Sequence, residues 1–216
     1  MTTTTYDDRL LTRPHIPVAT DRDDEFHASR GHVRFLRIPP HRFVMMDGEG
    51  APNARAFEAR MPGLYGVAYP LRFALKARGI IRKVGPLEGL WWTTDSAKGF
   101  DSILEGARGH WRWTLMIGLP DEATDTEIEQ HVEAGRAHLA SGYARSLRVA
   151  TLDEGEAAQI MHVGPYAEER PTIERLHTEI AAAGLHPRGR HHELYLGDPR
   201  RCAPERLRTV VRQPVE

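Results

Sequence analysis

The residues best suited to chemistry sit in one short run, Arg190-His191-His192-Glu193-Leu194-Tyr195-Leu196-Gly197-Asp198-Pro199. Residues 191–196 are aromatic and aliphatic and stop at Gly-Asp-Pro, so the run predicts a strand. Strand side chains alternate between faces, which puts His191, Glu193 and Tyr195 on one side and His192, Leu194 and Leu196 on the other. If the leucine face packs on helices, the opposite face carries a carboxylate flanked by an imidazole and a phenol. Burying that carboxylate unpaired costs more than the roughly 2–7 kcal/mol of a neutral polar group. Two readings fit. Glu193 is either half of an ion pair with one of the arginines, or it lines a pocket where it meets a cation, a polarised group or a water.

The four tryptophans fall in two further strand-like runs, as Trp91 and Trp92 and as Trp111 and Trp113. Alternation puts Trp111 and Trp113 on one face and separates Trp91 from Trp92, so only one of the latter joins that cluster. The cluster is either an indole-rich core or a wall for a flat ligand, and each buried indole N–H needs a partner. Tyr65 and Tyr69 are spaced i, i+4 and share a helix face, either as core with hydroxyls at the surface or as two phenols looking into one cleft. The twelve histidines do not suggest a metal. His191-His192-Glu193 is not a His-Glu-x-x-His helix, and on a strand His191 and His192 diverge. Cys202, the single cysteine, has no thiol partner in the sequence, and Gly164-Pro165-Tyr166 lacks the glycine and lysine spacing of a phosphate loop.

Composition limits the partners. Twenty-nine basic against 30 acidic residues leave a formal charge of −1, without the basic excess that phosphate binding wants. No nucleic acid partner is therefore expected. A lone cysteine excludes an internal disulfide framework. The first residues, Met1 to Tyr6, lack the basic and apolar regions of a signal peptide, and no apolar run approaches the roughly 20 residues of a membrane span, so a cytoplasmic location without membrane contact is expected.

The elements that must hold these residues follow from punctuation and periodicity. Residues 1–40 are polar and proline-interrupted and read as a flexible arm, with 33–38 a short extended piece. Strands are expected at 42–47, 88–94, 111–117, 147–152, 157–163, 191–196 and 207–213, with a polar loop at 95–109. Helices are expected at 53–79, with Pro62-Gly63 and Pro70 as breaks or kinks, at 124–140 behind a Thr124 or Asp125 cap, and at 168–183. The order strand, helix, strand, strand occurs twice, at about 42–117 and 157–213. The fold class is α+β: two tandem βαββ units joined into one pseudo-symmetric antiparallel sheet, helices on one face, forming a single domain over 41–216. Either the other sheet face or the central cleft between the halves is left for a ligand.

Glu88-Gly89-Leu90-Trp91-Trp92, Trp111-Arg112-Trp113-Thr114-Leu115-Met116-Ile117, Gln159-Ile160-Met161-His162-Val163-Gly164-Pro165-Tyr166 and Gly189 to Arg201 resemble the GyrI-like small-molecule-binding proteins. More narrowly they are similar to the stand-alone branch that includes the cyclopropanoid cyclopropyl hydrolases. The resemblance spans about 42–215 and is most specific over 157–215. It implies a tandem βαββ fold around a cleft, with Glu193 projecting into it. It further implies that Glu193 and cavity tyrosines act on water while tryptophans sandwich a planar substrate.

The chemistry so implied is water attack on a cyclopropane fused to a cyclohexadienone, which opens the ring and leaves a phenol. That needs a base beside the water and a donor at the carbonyl oxygen. Glu193 is the candidate base, and the candidate orienter or donor is a tyrosine, Tyr69 or Tyr65 from the helix or Tyr195 from the same strand face. Trp92, Trp113, Trp111, Tyr195, His191 and Tyr166 are the candidate substrate contacts. No metal or organic cofactor is called for. The competing readings are a protein that sequesters planar or cationic molecules without turnover, and a macromolecular inhibitor. A drug-sensing regulator is disfavoured, because residues 1–40 are too few and too broken by proline for a helix-turn-helix.

Overall fold

The computed structural model describes residues 14–50, 55, 58–93 and 111–216. Residues 1–13, the start of the expected first helix at 53–57 (apart from Arg55), Thr94 and the expected loop 95–109 lie outside the described residues. Eight strands form one antiparallel sheet: β1 (Arg34–Ile38), β2 (His41–Glu49), β3 (Leu87–Thr93), β4 (Trp111–Gly118), β5 (Arg148–Leu152), β6 (Gly155–Val163), β7 (His191–Tyr195) and β8 (Arg208–Pro214). Their spatial order is β1-β6-β8-β7-β3-β4-β2-β5. The helices are α1 (Arg22–Glu25), α2 (Met61–Ala77), α3 (Asp125–Ala137), α4 (Ser141–Ala144) and α5 (Arg170–Ala182).

The doubled order of elements is the architecture. The first half is β2, α2, β3, β4 and the second is β6, α5, β7, β8. In the sheet they read β6-β8-β7 and β3-β4-β2, mirror images about a seam where β7 pairs with β3. Register across that seam sets Glu193 opposite Gly89, Tyr195 opposite Leu87 and His191 opposite Trp91. On the other side of β7, Tyr195 lies opposite Thr209 and Glu193 opposite Val211.

Helices α2 and α5 cover the same sheet face, one per half. Leu64, Val67, Leu71 and Leu75 of α2, at the i, i+3, i+4 spacing of one stripe, bury against Val44, Met46, Trp91, Trp113, Leu115 and Ile117. Ile173, Leu176 and Ile180 of α5 bury against Ala158, Ile160, Val211 and Val215. Pro62 falls in the first turn of α2, where its missing N–H breaks nothing. Pro70 sits inside the helix without ending it, so the expected break is absent; the buried stripe on either side holds the turn together.

Two expectations are corrected by the packing. The leucine face of β7 is not the helix face. Leu194 packs with Met161, Val210, Phe26 and Ala28, so the side carrying His191, Glu193 and Tyr195 is the one that shares its layer with α2 and α5. Nor are residues 14–40 an arm outside the domain. Arg34–Ile38 is an edge strand on β6, residues 17–19 bond to Arg37, and the segment around α1 closes the second sheet face. Its composition is polar because its charged side chains meet buried partners.

That second face holds an ionic chain. His192 Nε2 lies 3.0 Å from Glu88 Oε2 and its Nδ1 2.9 Å from Glu154 Oε1. Arg212 bonds Glu154 at 2.8 Å, Gln159 at 2.8 Å and the Glu25 carbonyl at 2.7 Å. Arg22 bonds Glu88 at 2.9 Å and Glu25 at 2.7 Å, and His41 meets Glu25 at 2.6 Å. Each buried charge thus faces an opposite one, the condition under which burial is tolerable.

Candidate functional site

The site is built on the seam. β7 contributes His191, Glu193 and Tyr195 on the helix face, as alternation predicts. His191 Nε2 is 3.3 Å from Glu193 Oε1. The Tyr195 hydroxyl accepts from the Trp91 indole N–H at 3.1 Å and is itself hydrogen-bonded to Glu193. Glu193 is therefore held on both sides along its own strand, with only a small part of its side chain exposed.

Gly89 makes this possible. It is the residue directly across from Glu193, and a Cβ there would stand 2.9 Å from the Tyr195 hydroxyl and 3.0 Å from Trp91 Nε1. The Trp91–Tyr195 bond runs through the space a side chain would fill.

Trp91, not Trp92, joins the indole cluster. Trp91 lies edge-on to Trp111 at 5.8 Å and tilted to Trp113 at 6.3 Å. Trp92 points to the opposite sheet face, packs with Leu90, Met116 and Phe43, and carries Arg190 stacked 3.6 Å above its ring. The register decides this: His191, which shares the face of Glu193, pairs with Trp91, and its neighbour must point away. Trp113 is corrected too. Its ring is fully buried, lying over Gly48 in the room left by the missing Cβ and under Arg60 at 4.9 Å. It supports the wall rather than offering a face. Trp111 is partly exposed, and its Nε1 has no partner among the described residues.

Tyr166 stands edge-on to Tyr195 at 5.6 Å, from a 3-10 turn (Tyr166–Glu168) that leads into α5. Burial, Glu169 and Glu193 raise its pKa to about 12. Burial with the same two carboxyls pushes Tyr195 well above the usual phenol range. Tyr65 and Tyr69 form their own tilted pair on α2, 5.7 Å apart, with Tyr69 47% exposed. Burial raises the pKa of Tyr65, and Tyr69 and Asp198 add to it. The charge of Asp198, just beyond β7, also acts on Tyr166.

Sequence reading missed Glu169. It follows the 3-10 turn, is 5% exposed, and its Oε1 has no hydrogen-bond partner among the described residues. Burial, then the neighbouring charge of Glu193, raise its pKa to about 9, with Thr209 opposing. The only signal in the sequence was Tyr-Ala-Glu-Glu-Arg-Pro, where two adjacent glutamates before a helix look like ordinary first-turn acids.

At neutral pH the site thus contains one carboxylic acid, Glu169, beside the carboxyl of Glu193, phenols that keep their protons, and an indole wall. Such a pair of carboxyls can act on water and on an electron-accepting oxygen. No group of three or more His, Cys, Asp and Glu suited to a metal occurs among the described residues.

Residues 116–216 match the family of the GyrI-like small molecule binding domain. No curated protein matches the chain. Among solved structures, an uncharacterized conserved protein from Listeria innocua is 30% identical, with a TM-score of 0.75 over 90% of this chain and 97% of that one. A hydrolase from Listeria innocua is 28% identical, with a TM-score of 0.72 over 94% and 100%. The EcmrR C-terminal domain, 13% identical with a TM-score of 0.53 over 86% and 97%, shares the fold alone. With a seam-centred double βαββ sheet, a glutamate on the central strand and a relative 30% identical over nearly its full length, the chain belongs to the GyrI-like small-molecule-binding family.

Proposed function

We propose that the protein is a cofactor-independent hydrolase that adds water to a planar, electrophilic small molecule, with cyclopropane-fused cyclohexadienones as the substrate class. The observation that carries this reading is Glu193: a carboxyl fixed between His191 and Tyr195 at the seam of the two halves, with Tyr195 in turn bonded to Trp91. Likeness over nearly the whole chain to Listeria innocua proteins described as hydrolases, at 28–29% identity, supports it.

In the reaction Glu193 takes a proton from water as the oxygen attacks the strained ring carbon. The ring carbon–carbon bond breaks, its electron pair enters the dienone, and the carbonyl oxygen becomes a phenol oxygen. Trp111 and Trp91 supply the apolar wall for the ring system, and Tyr166 closes the side nearest Tyr195. The indoles exclude competing solvent, which strengthens every charge interaction in the site.

Incubation with a cyclopropanoid genotoxin, followed by mass spectrometry, tests this. Wild type forms a water adduct above the buffer rate, and Glu193→Gln cuts that rate by roughly 10²–10⁴-fold, the usual share of acid–base catalysis. Binding of an uncharged substrate barely changes in the variant.

A second reading has one observation in its favour. Two carboxyls beside an indole wall also suit a planar cation. A wild-type protein that binds cationic dyes, loses them on Glu193→Gln and forms no adduct is a sequestering protein and not a hydrolase.

A further inference from the structure

Tyr195 has no proton to spare. Its oxygen accepts from Trp91, and its own hydrogen is engaged with Glu193. Tyr65 and Tyr69 sit together on α2, the ring of Tyr69 largely open to solvent. A ring opening that leaves negative charge on oxygen still needs a proton, and one buried group of the site carries an unused oxygen. Glu169 is tied by its backbone at the start of α5: its N–H donates to Tyr166 O at 3.3 Å, and its carbonyl accepts from Thr172 and Ile173 at 2.9 and 3.0 Å. Its side chain is buried and is hydrogen-bonded by the Thr209 hydroxyl, which is in register with Tyr195, and its Oε1 has no further partner among the described residues. A buried carboxyl oriented by a single hydroxyl and facing a second carboxyl marks a place where a ligand atom completes the hydrogen bonding.

We propose that Glu169 is the proton donor of this site, giving its proton to the substrate oxygen that gains charge while Glu193 takes one from the attacking water. This rests on the hydrolase reading. The balance closes: the water hydroxyl bonds to carbon, one ring carbon–carbon bond breaks, the oxygen of the former carbonyl receives the Glu169 proton, and the proton now on Glu193 returns to Glu169. No oxidant or co-reactant is consumed. The groups facing Glu169 are Glu193 and Tyr195 from β7, Thr209 from β8 and Tyr166 from its own turn, with His162 of β6 tied to Thr172 and the Pro165 carbonyl nearby. None of these is a fixed cation, and His191 flanks Glu193 at 3.3 Å on its other side.

Infrared difference spectra of the full chain at neutral pH test the proton on Glu169 without any substrate. The C=O stretch of a protonated carboxylic acid is expected in wild type and in Glu193→Gln, and lost in Glu169→Gln. With the cyclopropanoid substrate, kcat/KM of wild type is level up to near pH 9 and falls above it. Glu169→Gln, whose fold is checked by its melting curve, lowers kcat by about 10²-fold with KM little changed and loses that alkaline fall. Glu169→Asp, which keeps the acid, restores part of the rate and the alkaline fall. A wild type without the acid band, or a Glu169→Gln variant with wild-type kcat and the same alkaline fall, overturns the role of Glu169. A wild type that carries the band but turns over no substrate overturns the hydrolase reading instead.

Discussion

Gly89 has no side chain and close surroundings on the Glu193 side of the sheet. A methyl group there meets the Tyr195 hydroxyl and the Trp91 N–H at about hydrogen-bonding distance, which neither rigid ring avoids without turning. Gly89→Ala is therefore expected to break the Trp91–Tyr195 bond and to free Glu193 from its orienting phenol. Overpacking of this kind costs roughly 1–3 kcal/mol, to be read from urea unfolding curves. The adduct-forming rate is expected to fall more steeply than stability, since the carboxyl loses its aim. A variant destabilised to this degree but with undiminished turnover would show that Tyr195 does not orient Glu193.

At the scale of elements, the segment around α1 and the strands beneath it form a charge chain whose response to pH has a definite sign. Burial alone would push the His192 pKa down; the charges and hydrogen bonds of Glu154 and Glu88 more than reverse this and raise it. Burial would raise Glu88, but Arg22 and His192 hold it below its usual value. Burial would likewise raise Glu154, and His192 with Arg212 hold it well below the carboxylate range. Stability from His192 is fully present below its unfolded pKa, about 6.5, and is lost as pH rises through the raised folded value. Stability from Glu88 and Glu154 is present above about pH 4.3 and lost as pH falls through their lowered folded values. The chain contributes most between those limits, on the acid side of neutrality. His192→Gln leaves two buried carboxylates short of a cation and is expected to cost roughly 3–5 kcal/mol. Wild-type unfolding free energy should decline from about pH 6 to about pH 9 more than that of the variant. Equal slopes would mean that His192 is not charged in the folded protein.

At the scale of the whole molecule, the two halves meet along one strand pair and are tied again from behind. Arg22 reaches Glu88 on β3 of the first half, while the Glu25 carbonyl receives Arg212 on β8 of the second. The cleft face is thereby left to α2, α5 and the indole wall. A flat polycyclic ligand should quench tryptophan fluorescence saturably through Trp111 and Trp91. Trp92→Phe should leave that quenching intact, and Trp111→Phe should remove a large part of it. Quenching lost in Trp92→Phe and kept in Trp111→Phe would move the ligand to the other sheet face.

Period and punctuation determined the elements by themselves. Alternation over 191–195 put His191, Glu193 and Tyr195 on one face, the doubled strand-helix-strand-strand order foretold the mirrored sheet, and Thr124 is the helix cap it promised to be, its hydroxyl accepting from the Glu127 N–H. These follow from neighbours in the chain, where spacing alone dictates direction. What sequence could not say is which face meets what. The choice of Trp91 over Trp92 depends on strand register across the seam, a contact between residues 100 positions apart. The polar run 14–33 looked like an arm because its partners, Glu88, Gln159 and Arg212, lie 66 to 187 residues away. Glu169 reads as a first-turn acid until burial and a second carboxyl remove the water that would ionise it. Desolvation and charge pairing act through space, so only the tertiary structure could decide which acidic residue is a base, which holds a proton and which closes an ion pair.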